Sequence, residues 1–242
     1  MDEHSLQSPF LFDFYQKALN PSLRKKVTIQ SVEALRKKLC RDPRSISMNN
    51  FGSGSSLPEG YSKKIRSIAQ SGISGQKQSE ILVNIIETKK NIRVLELGTS
   101  LGLNTISLSH ADGVGEVITI EGNTELAEIA EENFKEAGST NIRLIVSDID
   151  LYLDQTNQIF DFIYVDANHT YMATRRYFSC ALELISDDGI IVLDDINWSS
   201  SMRNAWDELI IEHSDHLFIE NDKLGIVFVN VQNENNHYFL KF

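Results

Sequence analysis

The chain has 242 residues, 41% of them hydrophobic and 9% aromatic, enough to bury one substantial core with a small appendage, and a formal net charge of −11. Its two cysteines, Cys40 and Cys180, lack C-x-x-C spacing; they exclude a disulfide scaffold and read as reduced thiols. No apolar run approaches the ~18 residues that span a bilayer, and the amino terminus shows no basic and apolar leader, so no membrane partner and a cytoplasmic location are expected.

The charge is uneven. The first 91 residues carry 15 Lys+Arg against 8 Asp+Glu, and the remainder carries 8 against 26. Basic clusters lie at Arg24-Lys25-Lys26, at Arg36-Lys37-Lys38 with Arg41 and Arg44, and at Lys63-Lys64 with Arg66. They read as solvated helix faces or as docking onto the acidic body, with recognition of an anionic substrate as a third reading.

In chain order, helical spacing appears near 10–19 and 29–40, and Asn50-Phe51-Gly52-Ser53-Gly54-Ser55-Ser56 has the composition of a mobile loop. Residues 1–75 read as a helical appendage and a candidate lid that brings Phe51 or Tyr61 to the site; 76–242 read as the main domain. From Gln76 a helix leads into alternating patterns, with strands expected at 92–97, 116–121, 142–147, 160–166 and 189–195 and helices at 103–110, 124–137, 170–185 and 200–212. HLFIEND and LGIVFVN then flank a connection containing Lys223, as an antiparallel pair at one edge would. The expected fold is α/β: a Rossmann-like, mostly parallel seven-stranded sheet with helices on both faces and an antiparallel edge strand.

Ligands of such sheets bind beyond the carboxyl ends of the strands. There IRVLELGTSLGLN, residues 92–104, sets Glu96 before a short loop bracketed by Gly98 and Gly102. Two glycines four apart do not make the G-x-G-x-x-G pyrophosphate cradle of a dinucleotide site. Every strand end delivers a carboxylate: Glu96, Glu121, Asp148, Asp166 with His169 after it, and Asp194 with Asp195. Glu121, following Gly98 by 23 residues, is placed to accept both hydroxyls of a ribose. Asp148 reads either as an acceptor for an adenine amino group or as the N-cap of a following helix.

VLELGTSLGLNT, ITIEGN, FDFIYVDANHTY and IIVLDDINWS, in that order, resemble the class I S-adenosylmethionine-dependent methyltransferases, most closely the catechol-type O-methyltransferases and related small-molecule enzymes. The resemblance covers roughly residues 76–242. It implies S-adenosyl-L-methionine as cofactor, with Glu96, Gly98, Thr99, Ser100 and Gly102 around its methionine part and Asn104 near its carboxylate. Glu121 would hold the ribose, Ser147–Asp148 would border the adenine, and Asp166 would contact the cofactor. It also implies a divalent cation such as magnesium on Asp166, Asp194 and Asp195, where Asp195 stands in the place of an asparagine. His169, three residues after Asp166, falls where the family has a catalytic lysine, which makes His169 and Asp166 the candidate catalytic pair. Trp198 matches a tryptophan of some relatives.

The reaction so implied is methyl transfer to a small-molecule acceptor, at a hydroxyl oxygen and with metal assistance. Two alternatives come from other classes: an RNA methyltransferase using the basic front, and a cofactor-binding module without catalysis. The acidic body and the lack of a recognisable RNA-binding motif argue against nucleic acid. A homodimer is left open.

Overall fold

The computed structural model describes residues 8–22, 30–48, 60–71, 75–231 and 235–242. The Arg24-Lys25-Lys26 cluster and the loop at 50–56, with Phe51, lie outside the described residues.

Among the described residues, helices and a small ribbon make up the front and lead into the first helix of the body. α1 (Pro9–Phe14) starts at Ser8, whose hydroxyl accepts the Leu11 N–H, and runs on through a π-helical turn (Tyr15–Leu19). α2 (Gln30–Leu39) is followed by an antiparallel pair, β1 (Ser45–Ser47) and β2 (Ser62–Lys64), then α3 (Ile65–Ser71) and α4 (Gln76–Ile86).

The body continues as β3 (Ile92–Leu97), α5 (Leu103–Ser109), β4 (Val114–Glu121), α6 (Thr124–Ala137), β5 (Ile142–Val146), α7 (Ile149–Gln155) and β6 (Phe160–Val165). It ends with α8 (Tyr171–Leu184), β7 (Ile185–Leu193), α9 (Ser200–Glu212), β8 (Leu217–Glu220), β9 (Gly225–Phe228) and β10 (His237–Phe239). The sheet order is β10-β8-β9-β7-β6-β3-β4-β5; β3 to β7 are mutually parallel, and β9 runs antiparallel between β7 and β8. The sheet has an eighth strand beyond the expected seven, because β10 pairs parallel with β8 at the edge. Strand β7 starts at Ile185, earlier than its apolar run, and α7 follows Asp148.

Central strands of a parallel sheet are covered on both faces, which is why IRVLEL and FDFIYV are nearly continuous in apolar residues. Val94, Phe162 and Val192 pack to one face with α1 and α4; Leu95, Ile163 and Ile191 pack to the other with α7, α8 and α9. A third cluster joins α2, α3 and β1 to α5 and α6 through Leu35, Leu39, Ile46 and Ile65 against Leu103, Ile106, Leu126 and Phe134. Its rim is ionic: Lys38 pairs with Glu136 at 2.5 Å and Arg44 lies 3.6 Å from Glu132, so these basic side chains dock onto acidic α6.

From β3 the chain builds outward through β4 to β5, then returns to place β6 on the other side of β3. The strand order therefore reverses between β3 and β6, which opens a crevice beyond their carboxyl ends.

Candidate functional site

The loops after β3 and β6 touch at the reversal point. Asp166 donates its backbone N–H to the Leu97 carbonyl at 2.9 Å, and a β-carbon on Gly98, whose φ is +103°, would lie 2.3 Å from the Asp166 carbonyl oxygen. Only glycine fits there without displacing backbone. Gly102, with φ +77°, turns the chain into α5 where a β-carbon would meet the Phe134 ring. The loop also holds Ser100 in the left-handed region, at φ 50°.

Glu96 ends up buried at 1% exposure, under the loop. Asn104 Nδ2 donates to its Oε1 at 3.0 Å; Thr119 and Thr105 hydroxyls donate to its Oε2 at 2.7 and 2.5 Å. Burial outweighs these bonds and pushes its carboxyl up to about 7. Asn104 in turn accepts from the Ser79 hydroxyl at 3.1 Å, tying α4 to the network. Glu121 accepts the Ser100 N–H at 2.8 Å on Oε2 and the Asn123 N–H at 2.9 Å on Oε1. Burial raises its carboxyl above the ordinary value. Asp148 caps α7 by accepting the Leu151 N–H at 3.1 Å.

Beyond β6 and β7 the carboxylates do not form one set. The ligating atoms of Asp166, His169 and Asp195 all lie within 4.8 Å of one another, with His169 Nε2 at 3.7 Å from Asp166 Oδ1 and 3.9 Å from Asp195 Oδ2. Asp194 does not join them. Its Oδ2 accepts from Gln78 Nε2 at 2.5 Å and from the Tyr164 hydroxyl at 2.7 Å, and its Oδ1 accepts the Asp195 N–H at 2.8 Å. The Lys223 ammonium, from the β8–β9 turn, stands 3.4 Å from Asp195 and 3.7 Å from Asp194. The expected Asp166, Asp194 and Asp195 cation site does not fit this arrangement, because a protein cation and two neutral donors already occupy the Asp194 side. What converges is two carboxylates and an imidazole, whereas magnesium prefers oxygen ligands throughout. Burial, and then the negative charge of Asp194, raises Asp166 well above the carboxylate range.

A cavity of about 500 Å³ opens over these residues, within the range of small-molecule sites. Gly98, Thr99, Ser100, Gly102, Asn104, Glu121, Asp148, Asp166 and His169 all line it, whereas Glu96 lies beneath it. Trp198, 69% exposed, stands at the rim with its ring 6.0 Å from that of His169. Several contributors carry no signal in the sequence: Gln78 and Tyr164, whose partners are remote in the chain; Lys223; Lys63, which lines the cavity from the β1–β2 ribbon; and Asn168 with Tyr177. Asn168, at φ 48°, keeps a buried Oδ1 without a hydrogen-bond partner among the described residues.

A family model described as a methyltransferase domain matches residues 95–196, the span from β3 through the turn after β7. An O-methyltransferase, hkm8, of Aspergillus hancockii is 29% identical over 126 residues, 50% of this chain and 50% of that protein. A catechol O-methyltransferase of Mycobacterium tuberculosis is 31% identical over 107 residues, 43% of this chain and 48% of that protein. The chain thus spans about half the length of the curated relatives it matches. In fold it resembles the O-methyltransferase of Bacillus cereus solved in complex with SAH, at a TM-score of 0.55 and 20% identity over 90% of this chain and 96% of that one. Over residues 95–196, less than half of the chain, the sequence is similar to a methyltransferase domain, and that span lies on the Rossmann-like sheet described above.

Proposed function

We propose that the chain transfers a methyl group from S-adenosylmethionine to a small-molecule acceptor, at a hydroxyl oxygen. The observation that carries this reading is the cavity at the reversal of strand order, lined by Glu121 on one side and His169 on the other. Glu121 holds both carboxylate oxygens at the cavity wall among backbone N–H groups of the loops after β3 and β4, where a ribose hydroxyl would meet an acceptor. The unpartnered Asn168 Oδ1 is a buried acceptor that a ligand N–H would satisfy. These features fit an adenosyl group. The Gly98–Gly102 loop and Asn104, held by Glu96, would surround its amino-acid end.

When bound, the cofactor supplies a methyl group already activated by a sulfonium centre. The protein's tasks are to align, to exclude water and to accept a proton. Alignment of reacting groups is worth roughly 7–11 kcal/mol. His169 takes the acceptor's hydroxyl proton at an imidazole nitrogen, the Asp195 carboxylate, at 3.9 Å, stabilises the resulting positive charge, and Asp166, at 3.7 Å, flanks the ring on the β6 side. Trp198 offers an apolar surface to the acceptor, and Lys63 brings a positive charge from residues 1–75, the appendage that bounds the cavity on that side. With Lys223 compensating Asp194 and Asp195, no step is routed through a cation.

Calorimetric titration tests the reading. S-adenosylmethionine should bind, and Glu121→Ala should weaken it at least tenfold, in line with the ~1.5–3 kcal/mol of a hydrogen bond to a charged group. Absence of binding at millimolar cofactor would overturn it. Methyl transfer to a hydroxylated acceptor should survive a chelator; activity lost to the chelator and restored by magnesium would reinstate the cation. Failure to methylate any compound of a metabolite pool, with cofactor binding intact, would instead identify a non-catalytic module.

A further inference from the structure

The rim opposite the cavity carries a second cluster of ligating side chains. Helix α9 ends at Glu212, and the chain turns through His213, Ser214, Asp215 and His216 before entering β8. Register fixes where this turn lies. Leu217 pairs with Phe228 and Phe228 with Ile190, whereas the cavity lies past Leu193, at the other end of β7.

The ligating atoms of His213, Asp215 and His216 all lie within 4.8 Å of one another. His216 is buried, and its Nδ1 receives the Asn230 backbone N–H at 3.3 Å, a long bond. The Phe178 ring stands edge-on to His213, with centroids 5.3 Å apart, and the two imidazoles are nearly parallel. Asp215 Oδ2 is 3.7 Å from His216 Nδ1, too far for a hydrogen bond. Among the described residues no hydrogen bond joins the three side chains to one another, so the three ligating groups stand together without a proton shared between them.

We propose that His213, Asp215 and His216 bind a divalent transition metal of the zinc or cobalt kind, which pins the end of α9 to the turn before β8. Two imidazoles and one carboxylate with a water in the fourth position suit zinc and cobalt; magnesium and calcium seek oxygen ligands. Ligands about 2.0 Å from a tetrahedral metal lie roughly 3.3 Å apart, so the set must tighten. Asp215 is largely exposed and His213 half-buried, which leaves both able to close on a fixed His216. The metal takes the lone pair that now receives the Asn230 N–H.

The experiment uses the full chain stripped of metal, titrated calorimetrically with zinc and with magnesium, and with cobalt followed by its visible absorption. Zinc should bind and raise the melting temperature, while magnesium at the same concentration should not. Asp215→Asn and His213→Gln should each weaken zinc binding at least tenfold and abolish the rise in melting temperature. The first substitution is at an exposed side chain and leaves the fold intact, as circular dichroism would verify. Failure of zinc to bind overturns the proposal. So does a zinc-induced rise that is the same in both variants, since the ion would then sit elsewhere, as on Asp166, His169 and Asp195.

Discussion

Glu96 is a carboxyl enclosed by two hydroxyls and an amide, with its ordinary value of 4.5 raised to about 7. The sign of the consequence follows from proton counting. Below pH 4.5 the folded and unfolded chains both hold the proton; between 4.5 and about 7 the unfolded chain releases it and the folded chain keeps it. The contribution of Glu96 to stability is therefore fully present below pH 4.5 and is lost as pH rises through that window, by roughly 3 kcal/mol at most. Asp166, also raised, acts in the same direction. Glu96→Gln keeps the size of the side chain and removes the charge, and the threonine hydroxyls can reverse to accept. Denaturant unfolding of the cofactor-free protein from pH 5 to 8 should show a shallower decline in the variant; parallel profiles would refute the assignment. Glu96 and Glu121 stand out in the sequence because each is the first acidic residue to close an apolar run. Asp194 looks equivalent there. Its distinct environment comes from Gln78, 116 positions away, and from Lys223, contacts that no local pattern encodes.

At the scale of elements, the turn between β3 and α5 is fixed by contact as well as by backbone angle. Gly98→Ala imposes a side chain at φ +103° and drives it into the Asp166 carbonyl, so it should cost more than ~2 kcal/mol and shift the β6 loop. Gly138, the C-cap of α6, has φ +72°, but a β-carbon added there would meet nothing within 4 Å; Gly138→Ala should cost only ~1 kcal/mol. Denaturant midpoints of the pair separate contact from conformation, and equal losses would show that the close approach is unimportant. The same scale shows what patterning conveys. Strands β3, β4 and β6 are apolar through most of their length because both faces are covered, and the order of their residues is enough to mark them. Strands β1, β2 and β10 have three residues each and are mostly polar or exposed; they exist because a neighbour supplies the hydrogen bonds.

For the whole molecule, the appendage shares its core with the body. Leu35, Leu39, Ile46, Ile65 and Ile68 cover Leu103, Ile106, Leu126, Ile129 and Phe134. A chain beginning at residue 75 would expose that patch, and at about 25 cal/mol per Å² of apolar surface its loss costs several kcal/mol. Such a truncation should melt at a markedly lower temperature and bind a hydrophobic dye; an unchanged melt would mean that the front is a detachable lid. The basic front and acidic body follow the same logic, since Lys38 and Arg44 face α6.

The reversal of strand order also sets a sequence of events in time. β3, β4 and β5 can pair as the chain emerges, each with its neighbour, but β6 must return across that half to lie beside β3, bringing Phe162 against Val94. Closure of so long a loop is entropically late, and β-pairing of distant segments slows folding. Glu121 belongs to the early half and His169 to the late one, so no binding cavity exists until both halves have met. The proposed cofactor would then bind only the completed fold: its presence should slow unfolding while leaving the rate of refolding unchanged, and a ligand faithful to the finished sheet becomes a clock for its last step.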